Sequence, residues 1–146
     1  MTLTREEILA MEPGTEFNTI VAKELFKATI INKPSSLSDK IFYLLVDGDH
    51  FNPIEKGKNL GNAWWRLSEE QAWEACPRYS TDISAAWEVE SELIQKNSGV
   101  QTRYVWSLKW VTGWEDKQPH FREDLKLIHA TPEQRCKAAL LAVLNL

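Results

Sequence analysis

The sequence predicts an α+β fold: a small β-sheet with helices packed on it, an α/β sandwich in a single domain. Three observations predict it. The chain of 146 residues suits one domain, and at that length about 68–70% of the extended-chain surface can be buried without a disulfide or metal staple. Hydrophobic residues at 43% and charged residues at 26% are the proportions of a globular protein. Segments of helical period alternate with segments of strand period, in the order helix, strand, helix, strands, helix.

The first helix is announced by Thr4 with Glu7 three residues later, a capping box, followed by Ile8, Leu9 and Met11. Pro13-Gly14 stops it. Thr15 starts a second helix whose apolar positions Phe17, Ile20, Val21, Leu25 and Ala28 share one face. Residues 30–66 are less regular and form an enlarged segment. Lys33-Pro34-Ser35-Ser36 reads as a loop, and Ile41 to Val46 as a strand-like apolar run ended by Asp47-Gly48. Asn52-Pro53, Lys56-Gly57 and Leu60-Gly61-Asn62 make the following stretch a long loop, a common place for function.

Ser68-Glu69-Glu70-Gln71 opens a short helix that ends near Cys76-Pro77. Tyr79 to Asp82 supplies cap candidates for the clearest helix, built on Ile83, Ala86, Trp87, Glu90 and Leu93 or Ile94 and closed by Asn97 and Gly99. From Arg103 the period changes to two, with Tyr104, Trp106, Leu108 and Trp110 on one side, which predicts a strand. A second strand is expected over Phe121 to His129. Thr131-Pro132-Glu133-Gln134 then gives an N-cap, a proline at the first helical position and a capping-box glutamine, ahead of a stripe of Cys136, Ala139, Leu140 and Val143.

Composition narrows the function classes. Lys plus Arg is 17 against 21 Asp plus Glu, a net charge of −4, and no three basic residues run together. Duplex-binding proteins draw affinity from basic side chains on phosphates, so duplex nucleic acid is not an expected partner. No apolar stretch is long enough for a membrane span, and charged residues occupy the opening where a secretory signal needs an apolar core. A cytoplasmic protein is expected, with Cys76 and Cys136 as buried free thiols.

The catalytic templates fail. Asp47 to Asn52 begins like a calcium loop but has no glycine at its sixth position and Lys58 where the bidentate glutamate belongs, so a tight turn is expected. His50, His120 and His129 form no metal-ligand spacing, and no phosphate-cradling glycine loop occurs. No catalytic residue, metal or cofactor is therefore assigned. What stands out is seven tryptophans, all between Trp64 and Trp114. They read either as core and subunit-interface bulk or as the lining of a pocket for a flat ligand.

Two constellations are candidates for such a pocket. Trp64-Trp65-Arg66 places adjacent indoles on opposite sides of an extended segment, one free to stack on a ring, with an arginine for phosphate or cation–π contact. Tyr79-Ser80-Thr81-Asp82 lies at a helix start, where free N–H groups bind anions unless Ser80, Thr81 or Asp82 caps them. Arg78 and Arg103, with Lys109, are further candidates for an anion.

Three blocks carry a family resemblance: Thr4 to Gly14, Tyr79 to Val89 (Tyr-Ser-Thr-Asp-Ile-Ser-Ala-Ala-Trp-Glu-Val) and Thr131 to Ala142 (Thr-Pro-Glu-Gln-Arg-Cys-Lys-Ala-Ala-Leu-Leu-Ala). Together they cover about a quarter of the chain and resemble the phage ABA sandwich domain family, small proteins of bacteriophages and prophages. The resemblance implies a phage or prophage origin and an α/β sandwich, marks Tyr79 to Asp82 as an important place, and supplies no reaction. The larger 30–66 segment and the tryptophan-rich stretch depart from the usual pattern.

The expectation drawn from these features is a non-enzymatic phage accessory protein that forms a homo-oligomer. It would capture a small nucleotide-derived ligand, such as a cyclic ADP-ribose isomer or cyclic dinucleotide that signals host immunity. Trp64, Trp65 or Tyr79 would stack on the ligand, with Arg66, Arg78 or Arg103 on its phosphates and Ser80 and Thr81 beside them. The alternative is an interaction protein that binds and inhibits a host protein through tryptophan hot spots. A third reading is a small nucleotide phosphodiesterase, which sustained turnover would identify.

Overall fold

A computed structural model describes residues 2–146. The elements are α1 (Arg5–Ala10), α2 (Thr15–Leu25), β1 (Thr29–Pro34), β2 (Ile41–Val46), α3 (Glu69–Trp73), α4 (Ile83–Ile94), α5 (Ser98–Val111), α6 (Phe121–Ile128) and α7 (Pro132–Leu144). The fold is α+β, as expected, in one compact domain. Its sheet is a two-stranded antiparallel ribbon pairing Thr29 with Val46 through to Pro34 with Ile41.

The hub is α7 rather than the sheet. Helices α1, α2, α4 and α5 all pack on it, and Cys136, Ala138, Ala139, Leu140, Leu141 and Ala142 are buried around nearly its whole circumference. Such a helix must be apolar on all sides, and four small residues in that run let neighbours approach closely. Thr131 and Gln134 close the expected capping box at its start, and Thr4 with Glu7 does the same for α1. Phe17, Val21, Ala22 and Leu25 of α2 join Tyr79, Val89, Leu93 and the α7 residues in the main core.

Two predicted strands are helices. Arg103 to Trp110 lies inside α5, where Val100, Tyr104, Leu108 and Val111 recur at helical spacing toward the two core clusters, while Val105, Trp106 and Trp110 face outward. Apolar residues on two faces of one helix imitate the alternation of a strand. Phe121 to His129 is α6 and its C-cap, with Phe121, Leu125 and Ile128 on the exposed side. Asn97 does not close α4, which ends at Ile94; its Oδ1 caps α5 by accepting from the Val100 amide at 3.1 Å. Lys33-Pro34 belongs to β1, and only the residues that follow form the hairpin loop. Proline is tolerated there because its missing N–H would face away from the ladder.

Beyond β2 the long loop is partly ordered by the ribbon. Arg66 and Tyr43 exchange both backbone hydrogen bonds at 2.8 Å, and the Ile54 amide donates to Leu45 at 3.0 Å. The residues from Asp47 to Asn52 close on themselves as a tight turn, the Asp47 carboxylate accepting from the His50 amide at 2.6 Å. Gly48 is required there: a Cβ would sit 2.3 Å from the Lys27 carbonyl oxygen. Among the described residues no helix is long and apolar enough to cross a membrane.

Candidate functional site

None of the seven tryptophans is buried in the core. Trp64, Trp87, Trp106 and Trp110 are more than half exposed, and Trp65, Trp73 and Trp114 are partly so. The expectation that these side chains thicken the core is corrected: aliphatic residues, Phe17 and Tyr79 fill it instead. All but Trp87 have a cation over the ring. Arg66 lies over Trp64, Lys33 over Trp65, Lys23 over Trp73, Arg5 over Trp110, and Lys109 serves both Trp106 and Trp114, at 4.0 to 5.0 Å from the ring centres. A cation on one face of an indole leaves the other face to stack on a partner.

The bridge between Arg66 and Tyr43 fixes the Trp64-Trp65-Arg66 segment as an extended edge beside β2. Successive side chains of an extended chain point to opposite sides. Accordingly Arg66 turns to Trp64, its guanidinium carbon 4.4 Å from the ring centre, while Trp65 faces Lys33, whose ammonium is 4.0 Å away. Trp64 is 69% exposed. Arg66 Nε and Trp65 Nε1 are shut off from water and have no hydrogen-bond partner among the described residues. Buried donors are normally satisfied, so each lacks an acceptor that the chain does not supply.

The other expected site residues are placed elsewhere, and several are already spent. Tyr79 is buried and stacked on Phe26, ring centroids 5.2 Å apart. Burial holds its phenol well above the ordinary range. Ser80 is buried too: its amide and hydroxyl both donate to Asn18 Oδ1, at 2.8 and 2.7 Å, and its hydroxyl accepts from the Gly14 amide at 3.0 Å. Ser80 thereby ties the entrance of α4 to the start of α2. Asp82 caps α4, accepting from the Ser84 amide at 2.8 Å. The block that the sequence marks as important is therefore a structural joint. Thr81 and Arg78 remain exposed at its edge, Arg78 beside a shallow groove with Lys56, Asp82 and Glu88. Arg103 Nε donates to the Ala142 carbonyl at 2.9 Å, satisfying a carbonyl in the last turn of α7.

Sequence reasoning gives no weight to Lys33, whose position over Trp65 depends on the ribbon register, or to the Glu90 centre. At that centre Tyr104 and Arg135 both donate to Glu90 Oε1, joining α5 and α7 to α4. Arg135 also donates to the carbonyls of Ala130 and Ile128, each at 3.0 Å. The two bonds to Ala130 and Ile128 close the turn between α6 and α7, and the role of the centre is structural. Among the described residues no three His, Cys, Asp or Glu side chains gather where they could hold a metal ion. Both cysteines are free; Cys136 is buried as expected and Cys76 only partly so, and the burial each has pushes its thiol up to about 12.

A groove of about 320 Å³ runs between the 53–56 loop and α4, lined by Phe26, Pro53, Ile54, Tyr79, Glu88 and Glu92 among others. It is open and bordered by carboxylates, which disfavours an anion there. The Trp64–Arg66 edge differs from it in presenting an exposed ring with a positive charge beside it. A family model described as the phage ABA sandwich domain matches residues 19–140 of the chain. Comparison with curated proteins and with solved structures finds no match.

Proposed function

The chain belongs to the phage ABA sandwich domain family, and from that premise we propose that it is a non-enzymatic binding protein that holds a flat, anionic ligand of the nucleotide class. The observation that supports this reading is the Trp64–Arg66 pair: an exposed indole backed by a guanidinium. A base stacks on the open face of Trp64, and a phosphate oxygen accepts from Arg66. Base–aromatic stacking contributes about 1–3 kcal/mol per base, and a guanidinium matches phosphate geometry better than an ammonium does. Lys33, over Trp65, gives the other side of the same edge a second charge. No bond need be made or broken, so the product of binding is the intact ligand, removed from solution. In a phage protein this chemistry suits sequestration of a nucleotide-derived signal of host immunity, such as a cyclic ADP-ribose isomer or a cyclic dinucleotide.

The test is native mass spectrometry of the protein purified from bacteria that produce such signals. A discrete bound mass, released intact on denaturation and absent from Trp64→Ala protein of unchanged fold, supports the reading. An unliganded spectrum from cells shown to contain the signals, or continuing hydrolysis of added ligand, overturns it.

A second reading is favoured by a separate observation. Trp106 and Trp110 stand one turn apart on the outer face of α5, the arrangement of an aromatic anchor for a host protein. Loss of a host-protein complex in Trp106→Ala and not in Trp64→Ala separates the two.

A further inference from the structure

The free edge of β1 carries unpaired backbone groups in a self-complementary register. The Ser35 amide donates to the Lys40 carbonyl at 2.8 Å, which makes 35 and 40 a hydrogen-bonded pair. In an antiparallel ladder such pairs alternate with pairs that do not bond to each other. With the observed register, Lys33–Phe42, Ile31–Leu44 and Thr29–Val46 are the bonded pairs. Across β2 the alternation is confirmed, since Tyr43 and Leu45 bond away from β1, to Arg66 and Ile54. Ile30 and Asn32 must therefore aim their N–H and C=O groups out of the sheet. Among the described residues neither backbone finds any other partner, and β2 is the main element that β1 touches. An edge of this kind is a template for another strand.

We propose that β1 pairs antiparallel with β1 of a second copy of this chain, about a two-fold axis at Ile31, joining the two ribbons into one sheet. The register follows from the backbone. Ile30 of each copy exchanges both hydrogen bonds with Asn32 of the other, four bonds in all, and Pro34, which has no N–H, ends the ladder. The side chains agree with it. Ile31 meets Ile31, and Lys33 meets Thr29 rather than another lysine, so no like charges stand opposite one another. The same register carries each hairpin tip past the other copy's Ala28. The tip holds Leu37, which is 95% exposed in the single chain, and beyond Ala28 lies the partly exposed Phe26. An isologous contact closes on itself and leaves no further edge on β1. The inference does not rest on the ligand reading, because neither Trp64 nor Arg66 takes part in it.

Sedimentation velocity and oxidative cross-linking test it on the full chain. Wild-type protein is expected to sediment at twice the chain mass of 16.8 kDa. Asn32→Pro removes an outward N–H that the hairpin does not use, so it is expected to keep the circular dichroism spectrum and to sediment as the monomer. In Ile31→Cys the two cysteines face each other in a pair without mutual hydrogen bonds, about 4.5 Å apart at Cα, within the range for a disulfide. A covalent dimer is expected there and not in Thr29→Cys. A monomeric wild type, or a folded Asn32→Pro protein that stays dimeric, overturns the proposal. Persistence of the dimer in Asn32→Pro with its loss in Leu125→Asp places the interface on the exposed stripe of α6 instead.

Discussion

Arg66 rests its guanidinium 4.4 Å from the ring centre of Trp64 while its Nε, closed off from water, donates to nothing. The pair exists because Arg66 is bridged through its backbone to Tyr43, which sets two residues of a long loop in extended conformation and puts both side chains on one side. Replacing Arg66 by lysine keeps the charge and loses the planar fork and the stack. Arg66→Lys is expected to weaken nucleotide-class ligands about tenfold, and Arg66→Ala more, with unchanged thermal melts. Calorimetric titration of both variants measures this. Equal affinity in wild type and Arg66→Ala contradicts the assignment.

The Tyr79 to Asp82 block is expected to matter for stability and not for binding. Ser80→Ala leaves the Gly14 amide without its acceptor and takes from Asn18 Oδ1 one of its two donors, at a cost of about 1–3 kcal/mol. Urea denaturation should show that loss, and ligand titration at a temperature where the variant is folded should match wild type. A folded Ser80→Ala protein with lost binding would return this block to the site.

Glu90 is the ionic centre of the helical layer. Arg135→Met removes the charge partner that a largely buried carboxylate holds, and about 3 kcal/mol of stability is expected to go with it. Tyr104→Phe removes one hydrogen bond and leaves the ion pair, at about 1 kcal/mol. Chemical denaturation of the two single variants and the double variant gives their coupling. Equal losses for Arg135→Met and Tyr104→Phe would show that the ion pair contributes little.

Both thiols are expected to be unreactive in the native protein. Burial moves Cys76 and Cys136 from the ordinary value of 9.0 up to about 12, so thiolate is about a thousandfold scarcer than for an ordinary thiol at neutral pH. A thiol pKa raised by folding gives stability that is complete below the unfolded pKa and falls as pH rises above it. Maleimide labelling at pH 8 should be slow in buffer and fast in urea. Fast labelling in buffer would contradict the raised pKa of both thiols.

Acid should destabilise the chain for the opposite reason. The Thr4 amide and hydroxyl hold the Glu7 carboxyl below its ordinary 4.5, and the Lys126 ammonium with the Glu115 amide does the same for Glu123. Carboxyls depressed by folding stabilise above their unfolded pKa, and that contribution is lost as pH falls through the folded values. Melting temperature is expected to be level from neutral pH down to about 5 and to drop below it. Glu123→Gln should flatten the drop.

Much of the helical frame was legible because caps are local. Thr4 with Glu7, Ser68, Asp82 and Thr131 with Gln134 each announce a helix within four residues, and each does cap one. The failures have a physical pattern. Trp106 and Trp110 lie on the solvent side of α5 and Phe121, Leu125 and Ile128 on the solvent side of α6, so the apolar residues that mark a core face in an ordinary helix mark a free face here. Period alone then misleads. Trp64 and Arg66 were legible as neighbours two apart on an extended segment. Lys33 over Trp65 was not, since that contact depends on how β1, β2 and the 66 bridge line up. Tyr79 and Ser80 were visible as a block, but whether they served a pocket or a joint depended on Asn18 and Phe26, some sixty and fifty residues earlier in the chain.

The most direct measurement of the central claim is isothermal titration of purified wild-type, Trp64→Ala and Trp87→Ala protein with a cyclic dinucleotide and a cyclic ADP-ribose isomer. Trp87 is 56% exposed, and among the described residues no cation lies over its ring. Saturable binding of at least one of these ligands is expected in wild type and Trp87→Ala, with the ligand recovered unchanged, and at least about a tenfold loss in Trp64→Ala. No heat with either ligand in wild type, or equal affinity in Trp64→Ala, would contradict the claim.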